Sequence, residues 1–135
     1  MGKSYSIDAC ALIAYFHGEV GGEKLKELFI NPENNFCIHS INVSEVYYDF
    51  LKRSNKEDAD AFLEDCKKLP IEIIWNINEE MLMLASQFKT KYKISIADSY
   101  FLAIAQINKA TPISTDHHEF DILEKNNEFE FFWLR

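Results

Sequence analysis

The chain has 135 residues and a mass of 15.8 kDa, enough for one domain with a real core and hardly for two. An apolar content of 47% with 14% aromatic residues excludes a disordered chain, and only 4 Gly and 3 Pro exclude collagen-like or linker-rich designs. Fourteen Lys and Arg against 22 Asp and Glu leave a net charge of −8, which speaks against a module that grips nucleic acid through a broad basic surface, though not against an enzyme that meets phosphates through bound cations.

The elements alternate along the chain. A short strand is expected at 5–8, a helical stretch at 10–16, and glycine punctuation at Gly18, Gly21 and Gly22. A helix at 23–30 places Leu25, Leu28 and Phe29 on one face, and Asn31-Pro32 ends it. A second strand covers 36–39. Asn42 and Glu45 have capping-box spacing, so Asn42 is expected to cap a helix that runs to about Arg53 with Val43, Val46, Tyr47, Phe50 and Leu51 as its stripe. A polar amphipathic helix at 56–69 stops at Pro70, and a third strand follows at 71–75. Asn78 is expected to cap a helix with Met81, Leu84, Ala85 and Phe88 at core spacing. An Ala-rich helix at 97–108, a strand at 112–114, a helix at 117–126 and a strand at 130–133 complete the series. Strands separated by one or two helices predict an α/β fold, with a mostly parallel sheet of about five short strands covered by helices on both faces. No repeat or linker divides residues 1–135, so a single domain is expected. In such sheets chemistry collects at the carboxyl ends of the strands.

No apolar run approaches the ~18 residues of a membrane span, so no membrane association is expected. Asp8 interrupts the first apolar stretch, so a signal peptide is not expected and the expected location is cytoplasmic. Cys10, Cys37 and Cys66 form no CxxC pair and are expected to be reduced core residues.

The informative pattern is where charge is missing. Residues 4–16, 37–48, 94–108 and 110–118 each contain a single charged residue, respectively Asp8, Glu45, Asp98 and Asp116. At the chain average of 27% charged, about three would be expected in every ten residues. All four are acids, and no Lys or Arg lies in these segments. A carboxylate in an apolar segment is costly without backbone donors, a raised pKa or a cation. Asp8 and Asp116 follow strands, Asp98 opens a helix, and Glu45 lies in the first turn of another, so all four can converge at one sheet edge. A hard divalent ion, Mg²⁺ or Mn²⁺ with oxygen ligands, would relieve their repulsion. Plain alternatives stand beside this: a helix cap for Asp98, turn residues for Asp8 and Asp116, and a solvent-facing position for Glu45.

The order strand-Asp8-Ala-Cys-Ala-Leu-Ile, Asn-Val-Ser-Glu45-Val, Ile-Ala-Asp98-Ser-Tyr and Ile-Ser-Thr-Asp116-His-His-Glu-Phe resembles the PIN-domain nucleases, in particular the small VapC-type toxins, over essentially the whole chain. The resemblance implies a Rossmann-like fold and a Mg²⁺- or Mn²⁺-dependent ribonuclease that hydrolyses RNA phosphodiester bonds. It also implies a cognate antitoxin protein and a homodimer. It assigns Asp8, Glu45, Asp98 and Asp116 as catalytic and metal-holding acids, with Ser114 as an auxiliary hydroxyl. Asp121 is a candidate fifth acid, or a solvated helix charge like Glu119. Cys10 stands where the family commonly has Ser or Thr. His117 and His118 are placed either against a phosphate or metal or at a loop or helix start. Basic clusters at Lys52, Arg53 and Lys56, and at Lys89, Lys91 and Lys93, are candidates to guide RNA, or ordinary solvated helix faces. Five aromatics, Phe29, Tyr47, Tyr48, Phe50 and Phe62, suggest an excess of apolar surface for an interface.

Three other readings compete with this one. A receiver-type domain would want a paired acid after the first strand and a late Lys. A haloacid-dehalogenase-type phosphatase would want Asp-x-Asp where Asp8-Ala9-Cys10 stands. A catalytically silent PIN-fold interaction module would not need the intact acid set.

Overall fold

The computed structural model describes residues 2–135 and holds five strands and seven helices among them. The strands are β1 (Ser4–Ile7), β2 (Asn35–His39), β3 (Ile71–Ile74), β4 (Thr111–Ser114) and β5 (Phe132–Trp133). The helices are α1 (Ala9–His17), α2 (Gly22–Ile30), α3 (Ser40–Arg53), α4 (Lys56–Lys68), α5 (Glu79–Lys91), α6 (Ile96–Ile107) and α7 (His117–Lys125). All strand pairs are parallel, in the order β3-β2-β1-β4-β5, with Ser6 opposite Cys37 on one side and Pro112 on the other.

Alternation along the central strands divides the core. Tyr5 and Ile7 of β1 and Phe36 and Ile38 of β2 join Leu12, Leu25, Val43, Val46 and Phe62 beneath α1 to α4. Ser6 and Cys37 face the other way, where Ser6 Oγ donates to the Phe101 carbonyl at 3.2 Å and Cys37 packs with Met81 and Ile104. There α5, α6 and α7 share a cluster built on Phe88, Phe101, Leu102, Phe120 and Leu123. The sheet is therefore covered on both faces, as the alternation of elements predicts.

The chain leaves β1 for β2 and β3 on one side, then returns across β1 to β4 and β5 on the other. The strand order reverses between β1 and β4, which opens a crevice at their carboxyl ends. Asp8 and Asp116 lie there, immediately after β1 and close after β4.

Three local expectations are corrected. Asn42 does not cap α3. The helix begins at Ser40, and the His39 Nδ1 accepts the Ile41 N–H at 3.1 Å while its Nε2 donates to the Asn76 carbonyl at 3.1 Å. This fixes a neutral imidazole, and burial lowers its pKa further. The last strand is two residues long, because the Phe131 N–H is taken by Glu124 Oε2 rather than by a neighbouring strand. Cys10 is exposed, whereas Cys37 and Cys66 are buried as expected. Gly21, at φ +96°, lets the chain enter α2; a Cβ there would lie 2.5 Å from the Leu134 carbonyl oxygen.

Candidate acidic site

Asp8 is the N-cap of α1, and its Oδ1 accepts the Ala11 N–H at 2.8 Å. Its Oδ2 accepts a 2.5 Å hydrogen bond from Ser114 Oγ, at the end of β4. The same hydroxyl accepts the Asp116 N–H at 3.0 Å. One buried serine thus holds the Asp8 carboxylate and the Asp116 backbone together. Asp116 in turn caps α7, its Oδ1 accepting the Glu119 N–H at 3.1 Å. Asp8 and Asp116, for which a turn role was the plain alternative, each cap a helix instead, and Asp116 also lines the cavity at the crevice.

Asp98 is different. The cap of α6 is Ser95, whose Oγ accepts the Asp98 N–H at 3.0 Å. The Asp98 carboxylate is therefore not used as a cap. It lines a cavity of about 190 Å³ together with Cys10, Glu45, Ser95, Asp116 and Glu119. Asp8, only 2% exposed, lies behind that wall. Glu45 stands on the exposed rim, as its position off the apolar stripe predicts. A larger cavity of about 270 Å³ opens at the amino ends of the strands, lined by Ser4, Asn35, Glu72 and Asn108 among others, with a single carboxylate. Chemistry rather than volume singles out the acidic one.

The electrostatics agree with the crowding. Burial, with Asp98 and Asp116 nearby, raises Asp8 to about 7 against the pull of its two hydrogen bonds. Burial, then Glu45, raises Asp98 to about 7. Burial raises Glu45 too, and the Asn42 amide works against it. Cys10 is exposed as a residue, but its thiol is partly covered by protein, and this cover first, then Asp8, Asp116, Asp98 and Glu45, pushes it up to about 12, so it stays protonated. Among the described residues, none of the four acids is in an ion pair with Lys, Arg or His.

Oxygen donors without a protein counter-charge suit a hard divalent cation. The acids are spread around the cavity, and among the described residues no three His, Cys, Asp or Glu side chains are gathered closely enough to hold an ion as they stand. The cavity has the volume of about six waters in the liquid, so an ion that keeps part of its hydration shell fits between them.

Other candidates fall elsewhere. Asp121 is exposed and accepts from His117 Nδ1 at 2.8 Å. His117 Nε2 donates to the Arg135 carbonyl at 2.8 Å, and its ring stacks on Trp133 at 3.7 Å. His117 therefore fastens the end of the chain, and His118 is exposed. The acid that sequence reasoning missed is Glu119, half-buried at the cavity; the Asp116-x-x-Glu119 spacing, that of a capping box, was the available signal. The basic clusters are largely spent: Arg53 pairs with Asp49 and Glu19, Lys56 with Asp60, Lys91 with Glu128, and Lys89 donates to the Ile94 carbonyl. Of the five aromatics offered as interface surface, Phe62 is buried and Phe29, Tyr47 and Phe50 pack on the core, which leaves Tyr48 at 63% exposure.

The family model described as PIN domain matches residues 5–126. No curated protein matches the chain. Among solved structures, DNA-bound VapBC from Salmonella typhimurium is 15% identical, covers 100% of both chains and superposes with a TM-score of 0.72. VapBC2 from Rickettsia felis, bound to a DNA fragment from its promoter, is 18% identical over 96% of this chain and 98% of its own, with a TM-score of 0.72. VapC20 of Mycobacterium tuberculosis, described as a sarcin-ricin loop cleaving toxin, is 10% identical over 89% and 95%, with a TM-score of 0.69. At these identities the likeness is one of fold.

Proposed function

The chain belongs to the PIN domain family, and from that premise we propose that it is a Mg²⁺- or Mn²⁺-dependent ribonuclease, the toxin of a toxin–antitoxin pair. The observation that carries this reading is the cavity at the β1/β4 crevice, where carboxylates gather with no basic partner. The naming of VapC20 as a sarcin-ricin loop cleaving toxin supports the same reading.

Asp8, Asp98 and Asp116 would hold the ion, with Glu45 joining directly or through water. When bound, it supplies positive charge to the scissile phosphodiester and acidifies water. The chain's own groups do the rest. Ser114 and the Ala11 N–H fix the rotamer of Asp8, so that one acid is set before the ion arrives. Glu45, on the rim and with its pKa raised by burial, would take a proton from the attacking water. The antitoxin would set an Arg or Lys among the same acids, supplying the counter-charge they lack. A homodimer would cover apolar side chains that this chain leaves open, such as Tyr48 and Leu51 on α3 and Leu82 and Met83 on α5.

The test is cleavage of an RNA pool by purified protein with Mn²⁺ or Mg²⁺, with EDTA and with Asp98→Asn as controls. Cleavage that needs the ion and Asp98 is expected. Intact RNA under every condition, from a folded protein, would favour the silent interaction module.

A further inference from the structure

Asn42 is fully buried in the first turn of α3, one turn before Glu45. Its Nδ2 donates to the Ala97 carbonyl at 3.1 Å, across 55 residues of sequence, in the first turn of α6. Ala97 immediately precedes Asp98. The Asn42 Oδ1 has no hydrogen-bond partner, and it is the one buried side-chain nitrogen or oxygen of the described residues left so. Such an atom costs stability, on the scale of a lost hydrogen bond. The Ala97 carbonyl does not need this donor, because a first-turn helix carbonyl already serves the N–H four residues on. For packing alone, an apolar residue of the same size would serve the position better.

We propose that Asn42 is a positioning residue of the acidic site, its buried carboxamide tying the helix turn that carries Glu45 to the helix turn that carries Asp98. Glu45 and Asp98 come from separate crossovers on opposite faces of the sheet, and their mutual repulsion pushes the two turns apart. The Asn42 bond is the side-chain hydrogen bond that spans them. It sets how far apart two ion-holding carboxylates stand, while touching neither ion nor substrate itself. The proposal rests on the reading of the four acids as a cation site.

The test compares parent, Asn42→Leu and Asn42→Ala by apo melting, by amide exchange in the first turn of α6, and by calorimetric Mn²⁺ titration. Leu keeps the branching and the number of heavy atoms, though it is bulkier, and removes the orphaned oxygen, so its Tm is expected to stay near the parent's. Exchange at 97–99 is expected to quicken and Mn²⁺ affinity to fall at least tenfold in both variants. The smaller Ala keeps the question answerable if Leu does not fold. A variant with a lower Tm and parental Mn²⁺ affinity, or with parental exchange at 97–99, would overturn the proposal by making Asn42 a packing residue only. A parent that binds no Mn²⁺ would overturn the cation site itself, and is seen before any Asn42 variant is compared.

Discussion

Two groups of carboxylates in this chain live under opposite rules. On the outer surface of α3 and α4, Asp49 lies 3.0 Å from Arg53 and Asp60 lies 2.7 Å from Lys56, with the Tyr47 hydroxyl donating to Asp60 as well. Lys56 and Tyr47 hold Asp60 below its ordinary pKa. At the β1/β4 crevice, Asp8 and Asp98 rise to about 7, because burial and neighbouring acids both disfavour their charge. The same side chain is a solved problem in one place and an open one in the other. Unpaired acids at the crevice beside base-paired acids on α3 and α4 are what the proposed cation site requires.

Breaking the crevice acids should have the largest effect. Asp98→Asn is expected to lower RNA cleavage by about 10²–10⁴-fold, read as single-turnover rate at saturating Mn²⁺. The metal-free variant should melt no lower than the parent, since one of several repelling charges is gone. A variant that melts well below the parent would return Asp98 to a structural role.

The next effect is at Ser114. Ser114→Ala removes the 2.5 Å bond to Asp8 and the acceptor for the Asp116 N–H. A loss of about 10–100-fold in Mn²⁺ affinity is expected, with about 1.5–3 kcal/mol of stability if Asp8 is charged. Denaturant melts with and without Mn²⁺ separate the two. Unchanged Mn²⁺ affinity would deny Ser114 its role in setting Asp8.

The pH dependence of the metal-free protein sharpens the comparison. Between the unfolded value of 3.8 and the folded value of about 7, the native state holds protons on Asp8 and Asp98 that the unfolded chain has released. Stability contributed by these groups is therefore present at low pH and lost as pH rises across that window. His39, lowered by burial, acts the other way below 6.5, one imidazole against two carboxyls. The apo Tm should be higher at pH 5 than at pH 7.5, and saturating Mn²⁺ should recover the difference at pH 7.5. Asp60, held low, gives up its contribution only below 3.8. An Asp98→Asn variant with the parental pH profile would contradict this assignment.

The smallest effect belongs to the surface. Asp60→Asn breaks the exposed Lys56 ion pair and keeps an amide oxygen to accept from the Tyr47 hydroxyl. It should leave Tm within about 2 °C and Mn²⁺ affinity unchanged. A loss of affinity would erase the distinction between the two groups of acids.

Much of this was legible in the sequence, for a physical reason. A lone acid in an apolar segment is expensive, so Asp8, Glu45, Asp98 and Asp116 announce themselves, and the strand-helix order brings their segments to one edge. The misses follow from what short-range patterns leave out. Glu119 and Asp121 are equally charged and two residues apart, and only the phase of α7, set by the Asp116 cap, decides which reaches the cavity. His39 is a weak capping residue by type, and it caps α3 because the Asn76 carbonyl, distant in sequence, holds its ring in place. The basic clusters were visible as charges, but their partners Glu19 and Glu128 come from other elements. Asn42 has capping-box spacing to Glu45, and that local signal hid its long-range bond to Ala97.

The central claim is that the crevice acids form one cation site. Calorimetric titration of Mn²⁺ into the parent, Asp98→Asn and Asp60→Asn at pH 7.5 tests it most directly. Saturable binding in the parent and in Asp60→Asn, with affinity at least tenfold weaker in Asp98→Asn, is the predicted result. Equal binding in all three, or none in the parent, would contradict it.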